Sequence, residues 1–175
     1  LLLGTFEGVM FPSLRVGYLV LPEGLAERFI TRHARLGERV PLATQWAVAQ
    51  FIDSGALTRH LERVRRDLAV RRALVAARLA RVLPPAVRVG PMELGAQVCL
   101  HLPPAMADTA LVAALRAQRV VVEPMSPMTW PPGRVNGIVF GYMGWAEAEV
   151  LAAVDKIGAA IAAALAGYQG ACENA

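Results

Sequence analysis

The longest uninterrupted pattern in this chain is an amphipathic run from Ala56 to Leu83, which contains neither proline nor glycine. Pro84 and Pro85 follow and end it, because proline cannot continue a helix. Within the run, apolar residues recur at spacings of three, four or seven, as on one face of an α-helix: Leu57, Leu61, Val64, Leu68, Val75, Leu79 and Val82. The pattern predicts one long connecting helix over residues 56–83.

The sequence has a different organisation on each side of this helix. Before it, β-forming residues from Arg15 to Val20 predict a strand, and helices are predicted from Pro22 to Gly37 and from Pro41 to Asp53. After it come short strands and helices, predicted over strands 87–89, 97–102, 120–123 and 137–142 and helices 108–118 and 146–165. Mixed strands and helices in this order indicate an α/β fold.

The basic residues are 17 arginines and one lysine, Lys156, and the formal net charge is +4. Nucleic-acid binding would be one reading of this excess. However, eight of the arginines alternate with the apolar stripe of the long helix, with Glu62 and Asp67 among them, so a solvated or subunit-facing surface is favoured. The scarcity of lysine is the sharper constraint, because a Schiff base to a carbonyl cofactor has a single candidate.

Other functional classes have little support in the sequence. Asp155 and Lys156 interrupt the apolar C-terminal region, so we expect no membrane span. The start at Leu1 has no initiator methionine and no basic region, which predicts no secretory signal and a segment that begins within a fold. The histidines have no metal-ligand spacing, and no G-x-S-x-G nucleophile motif occurs. We expect a cytoplasmic protein without a metal site.

The segment from Gly4 to Tyr18 carries the most chemical information. It reads as the end of a strand, a glycine-containing polar loop and an arginine that leads into a second strand. The Thr5 hydroxyl, backbone amides and the Arg15 guanidinium could converge on phosphate oxygens, since guanidinium and amide donors suit that anion. This interpretation from residue chemistry leaves a purely structural loop open.

The same segment resembles the Gly-Thr-Phe-Ser-Lys-x-x-Phe-Pro-Ser-Leu-Arg-x-Gly-Tyr run of fold type I pyridoxal-phosphate proteins, and in detail the MocR-like branch of the GntR regulators. The similarity continues through Phe51–Gly55, Arg59–Leu61 and Asn136–Tyr142. Those regulators join an N-terminal winged helix-turn-helix to an aminotransferase-like domain. The resemblance implies the C-terminal part of such a domain: the end of the large domain (1–55), the connecting helix (56–83), a small α+β domain (84–166) and a tail (167–175).

The resemblance also implies roles for single residues. Thr5 and Arg15 match the residues that bind the cofactor phosphate, and Arg134 lies near the arginine that binds a substrate carboxylate. The important departure is at Glu7-Gly8, because the family has Ser-Lys there. Gly8 replaces the Schiff-base lysine, and Lys156 lies in the last predicted helix, so we expect no catalytic residue and weak or absent pyridoxal 5'-phosphate binding.

Three functions remain open. The first is the effector-sensing, aminotransferase-like region of a transcription regulator, which responds to an amino compound or pyridoxal phosphate and contacts DNA only through a module upstream of this segment. The second is an aminotransferase of class I/II that acts on amino acids, here without its lysine. The third is an inactive dimerisation module. The family implies a homodimer in each case, because fold type I sites are completed by a second subunit.

Overall fold

The computed structural model describes residues 1–37, 39–93 and 95–173, with side chains up to Gly167. These residues divide into two compact units, which we describe separately. Unit 1 is Leu1–Arg65, and unit 2 begins at Arg66. The boundary falls within one helix, α3 (Ala56–Val82), whose bounds confirm the long helix predicted from the sequence.

Unit 1 contains an antiparallel strand pair followed by helices. Strands β1 (Leu2–Thr5) and β2 (Gly17–Val20) pair so that Thr5 lies opposite Gly17. Helices α1 (Glu23–Leu36) and α2 (Leu42–Asp53) follow, and both agree with the sequence prediction.

The core of unit 1 is small. Val16 and Val48 are its buried hydrophobic residues, whereas many large apolar side chains are exposed, among them Leu1, Leu2, Leu3, Tyr18, Leu19, Val20, Phe29, Ile30, Leu36, Leu42, Trp46 and Ile52. Scattered exposed apolar residues are ordinary on protein surfaces, but contiguous apolar surface marks interaction sites.

Unit 2 is built on a four-stranded antiparallel sheet with the order β3-β4-β6-β5. Its strands are β3 (Arg88–Val89), β4 (Gln97–His101), β5 (Glu123–Pro124) and β6 (Gly137–Gly141), and its helices after α3 are α4 (Asp108–Ala117) and α5 (Glu147–Glu173). Alternate residues of the two central strands point into the core, because successive strand side chains lie on opposite faces. Val98 pairs with Phe140 and Leu100 with Ile138 on that buried face.

The last helix is longer and more apolar than the sequence reading allowed. It continues past Leu165 to Glu173, whereas the predicted helix ended at 165 and residues 167–175 were expected to form a tail. Asn174 and Ala175 lie outside the described residues. By length and mean hydropathy (1.7), Glu147–Gly167 could cross a membrane. Asp155 and Lys156 therefore do not exclude a span on these criteria, contrary to the expectation from the sequence. In unit 2, however, its Val154, Ile157 and Ile161 are fully buried in the core, as in a core helix.

One predicted strand is shifted in the structure. Residues 120–123 were expected to form it, but the ladder contains Glu123 and Pro124. Val120 and Val122 are buried while Val121 is 73% exposed, so the alternation that suggested a strand is real. These residues fill the core from one side without a partner strand beside them. The alternation of buried and exposed residues therefore placed the strand too early in the chain, at 120–123 instead of Glu123–Pro124.

Candidate functional site

The opening loop, defined here as Thr5–Arg15, leaves β1 and returns into β2 in unit 1. Its two ends are held together by backbone pairing, since the Phe6 amide donates to the Val16 carbonyl at 3.0 Å. The Thr5 hydroxyl also donates to the Val16 carbonyl, at 3.3 Å, and accepts from the Glu7 amide at 3.2 Å. The single hydroxyl proton of Thr5 is therefore already used inside the loop.

Arg15 lies at the end of the short 3-10 turn formed by Pro12–Leu14, in a left-handed backbone conformation with φ 50° and ψ 41°. Few residues other than glycine adopt this region, and each such residue costs about 1 to 2 kcal/mol. Its side chain is exposed, and among the described residues it has neither a hydrogen-bond partner nor an ion pair. The guanidinium is thus available to an external anion at the end of the ladder where Thr5 lies.

Position 8 lies in the turn between these two residues. A Cβ atom built on Gly8 would meet nothing within 4 Å, so there is room for a side chain at the position where the resembled family has lysine. The turn is closed by the Met10 amide, which donates to the Phe6 carbonyl at 2.9 Å.

A histidine that the sequence reading left without a role fixes this turn from α3. The Nε2 atom of His60 lies 2.7 Å from the Val9 carbonyl, and Nη2 of Arg63 lies 3.2 Å from Nδ1 of the same ring. A carbonyl can only accept and a guanidinium can only donate, so Nε2 carries the proton and Nδ1 is bare. His60 therefore holds the turn containing Gly8 from α3, through contacts that the tautomer with its proton on Nε2 satisfies.

The residues of the opening loop fit a phosphate group but not a covalently bound cofactor aldehyde. Arg15 has an exposed guanidinium, without a partner among the described residues, that can bind the anion. A Schiff base needs a lysine amine, and position 8 has none. The one lysine, Lys156, belongs to α5 in unit 2, where its Nζ donates to the Gln118 carbonyl at 3.1 Å.

Arg134 lies in unit 2, in the segment that joins β5 to β6. Its side chain is exposed and is unpaired among the described residues. The segment is bonded to Asp108, a buried carboxylate at the first turn of α4 that is 2% exposed. Asp108 accepts from the Ser126 hydroxyl at 2.7 Å, the Ser126 amide at 2.8 Å and the Gly137 amide at 3.3 Å.

These contacts set the ionisation of Asp108. Burial raises the pKa of the carboxyl, but the hydrogen bonds from the Ser126 hydroxyl and from the Ser126, Gly137 and Thr109 amides lower it further, so the net pKa is below its ordinary value. Asp108 is thus a charged group in the fold. In the part of the chain that the structure describes, no group of three or more His, Cys, Asp or Glu residues could hold a metal ion.

Comparison with solved structures identifies the fold. An α-aminoadipate aminotransferase, LysN from Thermus thermophilus, superposes with a TM-score of 0.84 at 24% identity, covering 94% of this chain and 42% of that one. A multiple substrate aminotransferase from Thermococcus profundus superposes with a TM-score of 0.85 at 18% identity, covering 93% and 40%. The chain has the α/β fold of part of a fold type I aminotransferase, as the sequence predicted.

Sequence comparison points to a narrower group. No protein-family model matches the chain. A "Probable rhizopine catabolism regulatory protein MocR" from Rhizobium meliloti is 32% identical over 142 residues, covering 81% of this chain and 29% of that protein. The HTH-type pyridoxine biosynthesis transcriptional regulator PdxR of Corynebacterium glutamicum is 32% identical over 161 residues, covering 88% and 35%.

The chain is therefore a relative of the regulators MocR and PdxR, and the chain itself has an aminotransferase-like fold. This confirms the family resemblance read from the opening loop. It spans about a third of the length of the curated relatives it matches.

Proposed function

We propose that this chain is the effector-sensing, aminotransferase-like region of a cytoplasmic transcription regulator. One relative is named as an HTH-type transcriptional regulator and another as a regulatory protein, and the chain matches 35% and 29% of their lengths. The remaining length leaves room for a DNA-binding module, which we place upstream of this region. This region responds to an amino compound or to pyridoxal phosphate and leaves the DNA contacts to that module.

The observation that carries the proposal is that the opening loop has an available arginine, Arg15, but has glycine in place of lysine at position 8. An aminotransferase needs a lysine at its cofactor, and this chain offers the anion-binding arginine without it. Such a loop can bind a phosphorylated ligand reversibly but cannot hold it through a covalent bond. A ligand bound in this way is sensed without being chemically changed.

Arg15 provides the principal phosphate contact in this proposal. The Thr5 proton is donated to Val16, so Thr5 must exchange that bond before it can donate to a phosphate oxygen. Arg15 needs no such exchange. A charged hydrogen bond contributes about 1.5 to 3 kcal/mol, which corresponds to roughly a tenfold change in affinity or more. Pyridoxal phosphate supplies an aldehyde when bound, and no residue of the opening loop can condense with it.

Equilibrium binding of pyridoxal phosphate and of pyridoxal, which lacks the phosphate, tests this assignment. We expect the chain to prefer pyridoxal phosphate, and Arg15→Gln to lose most of that preference. Arg28→Gln, a change of the same type in α1 of unit 1, is the matched control and should keep it. Equal binding of both ligands by the unaltered chain would contradict the proposal.

Covalent attachment is tested separately by borohydride reduction followed by mass spectrometry. The unaltered chain should give no pyridoxyl adduct in the opening loop, and an adduct at Lys156 would assign the chemistry to that residue instead. Lys156→Arg removes the remaining lysine and serves as the control for non-specific labelling.

The open space at Gly8 favours a second candidate, an amino-acid aminotransferase of class I/II that has lost its lysine. Because nothing lies within 4 Å of a Cβ at position 8, Gly8→Lys should fold without a clash. We expect Gly8→Lys to form a reducible adduct with pyridoxal phosphate. Transamination of an amino acid by that variant would favour the enzyme, and an adduct without turnover would favour the sensor.

We also propose that the protein acts as a homodimer. The exposed large apolar side chains of unit 1 support this, because the association of two subunits removes such side chains from water. Light scattering of the chain should give twice the monomer mass. A strict monomer with intact phosphate preference would contradict the dimer and leave the sensor assignment standing, and a dimer that binds neither ligand would favour a dimerisation module.

A further inference from the structure

One carboxylate closes a whole loop in unit 2. Residues 126–136, which we call the clamped loop, start at Ser126 and end beside Gly137, and both of these residues donate to Asp108. The two contacts are separated from Asp108 by 18 and 29 positions in the chain. Asp108 therefore fixes the distance between the two ends of the loop as well as their orientation.

Asn136 strengthens the C-terminal end of the clamped loop. Its Oδ1 accepts the Asp108 amide at 3.3 Å, and its Nδ2 donates to the Pro103 carbonyl at 2.9 Å and to the Met106 carbonyl at 2.8 Å. The amide side chain thus bonds the loop to the segment that leads into α4. Together with Asp108 it makes the base of the loop a buried and satisfied polar network, which is the kind that rigidifies a structure.

The tip of the loop has the opposite character. Trp130 is 87% exposed, and Arg134 is exposed without a partner among the described residues. The loop backbone is nevertheless closed internally, because the Gly133 amide donates to the Ser126 carbonyl at 2.9 Å. A rigid base below an unpaired guanidinium is the arrangement expected of a binding loop.

The charge of Asp108 does not neutralise Arg134. The Ser126 hydroxyl and the Ser126 and Gly137 amides donate to the carboxylate, and among the described residues it forms no ion pair. It can therefore anchor the loop without competing for the guanidinium. A carboxylate ligand would find Arg134 unpaired and able to form two parallel hydrogen bonds.

We propose that Asp108 is a positioning residue, which holds the clamped loop so that Arg134 binds the carboxylate of an amino- or oxo-acid effector. The inference rests on the proposed sensing function and on the carboxylate-binding role that the family resemblance implies for Arg134, and what it adds is the positioning role of Asp108. Ser126 acts with Asp108, and its hydroxyl and amide are the two shortest of the three contacts.

Titration of the 15N-labelled chain with two ligands tests the proposal. L-leucine carries a carboxylate, and 3-methylbutylamine is the same molecule without it, so their affinity ratio reports carboxylate recognition alone. We expect the unaltered chain to prefer L-leucine by about tenfold, as for a charged bidentate contact. Arg134→Gln should abolish the preference, and Asp108→Asn should lower it by about threefold or more.

Asp155→Asn is the matched control, because Asp155 is a carboxylate of unit 2 that lies on α5 and pairs with Arg78 on α3. It should keep the full preference. A general loosening of the fold would lower the affinity for both ligands and leave the ratio of the two affinities unchanged. If Asp108→Asn does not fold, Ser126→Ala removes one donor only and should lower the ratio by a smaller factor while the spectrum stays dispersed.

The outcomes distinguish carboxylate sensing by Arg134 from the positioning role of Asp108. No preference for L-leucine in the unaltered chain would overturn carboxylate sensing by Arg134. A preference that Arg134→Gln abolishes and that both Asp108→Asn and Ser126→Ala leave unchanged would keep the sensing assignment and overturn the positioning role. Loss of preference in the Asp155→Asn control would also overturn it, since any carboxylate would then act alike.

Discussion

The opening loop of unit 1 and the clamped loop of unit 2 present an arginine in opposite ways. Arg15 is the strained residue of its loop, with φ 50°, and its neighbours are held by backbone bonds and by the half-exposed His60. Arg134 lies in a loop whose ends share a buried carboxylate. In the opening loop the backbone of Arg15 itself is strained. In the clamped loop the hydrogen bonds of Asp108 at the base hold the loop in place.

This difference predicts where each loop is sensitive. In the clamped loop, stability depends on Asp108 and on the close approach of Gly137, so changes at the base should be costly and changes at Arg134 should not. In the opening loop, the proposed ligand-binding residue carries the strain, so replacing it with glycine should stabilise the fold. Residues held in sparsely populated backbone regions often mark functional sites for this reason.

The largest expected effect is that of Asp108→Ala. The change leaves the Ser126 and Gly137 amides without acceptors, and removing the acceptor of several buried donors costs about 3 kcal/mol or more. Urea unfolding should show this loss, and hydrogen exchange should locate it in unit 2. An effect below about 1 kcal/mol would mean that the base of the clamped loop is not the rigid element we describe.

Acid unfolding provides a check of sign on the same residue. The pKa of Asp108 is lower in the folded chain than its ordinary value, so its contribution to stability is complete above the unfolded pKa, about 3.9, and is lost as the pH falls through the folded value. Asp108→Asn should remove this part of the acid transition. Stability that rises on acidification through that range would contradict the assignment.

The second effect concerns Gly137, next to the same clamp. A Cβ on this residue would clash with the Leu100 carbonyl oxygen, a backbone atom of the paired strand that can move aside only if the strand shifts. We expect Gly137→Ala to cost about 2 kcal/mol, as for overpacking in a core. Gly141→Ala in the same strand is the control, because its nearest atom would be 3.7 Å away. Equal losses for the two variants would show that the close contact relaxes.

The sequence predicted most of the helices because their signals are local. The Pro- and Gly-free run predicted Ala56–Leu83, and the structure has Ala56–Val82. The strand at 120–123 was misplaced because strand pairing is a long-range property. Glu123 pairs with Val139, whereas the three valines before it have no ladder partner among the described residues. A pattern of alternating burial cannot show which residues find a neighbour.

The same reasoning explains what was found of the candidate sites. Thr5, Gly8 and Arg15 belong to one contiguous motif, so a resemblance could point to all three. Asp108 and His60 have no local signature, because the loop contacts that reveal them, at Ser126 and at Val9, lie 18 and 51 positions away. The left-handed conformation of Arg15 could not be predicted either, because arginine as a residue type does not favour positive φ.

The third effect is at His60, which bonds the turn of the opening loop. His60→Ala removes the donor to the Val9 carbonyl and the acceptor for Arg63, and we expect a loss of about 1 kcal/mol, the usual net value of a hydrogen bond. Hydrogen exchange at the Met10 amide should rise. His60→Gln keeps an N–H donor and should recover part of the protection. Unchanged exchange in His60→Ala would show that the turn holds itself.

The smallest effect has the opposite sign and tests the comparison most directly. Arg15→Gly should stabilise unit 1 by about 0.5 kcal/mol, because glycine adopts φ 50° without strain but loses more conformational entropy on folding. Arg15→Ala keeps the strain and should show no gain. Both variants should lose the preference for pyridoxal phosphate over pyridoxal. A gain in stability together with a loss of binding would mean that the chain retains a strained arginine for the anion it binds, whereas equal stability of the two variants would remove strain from the explanation.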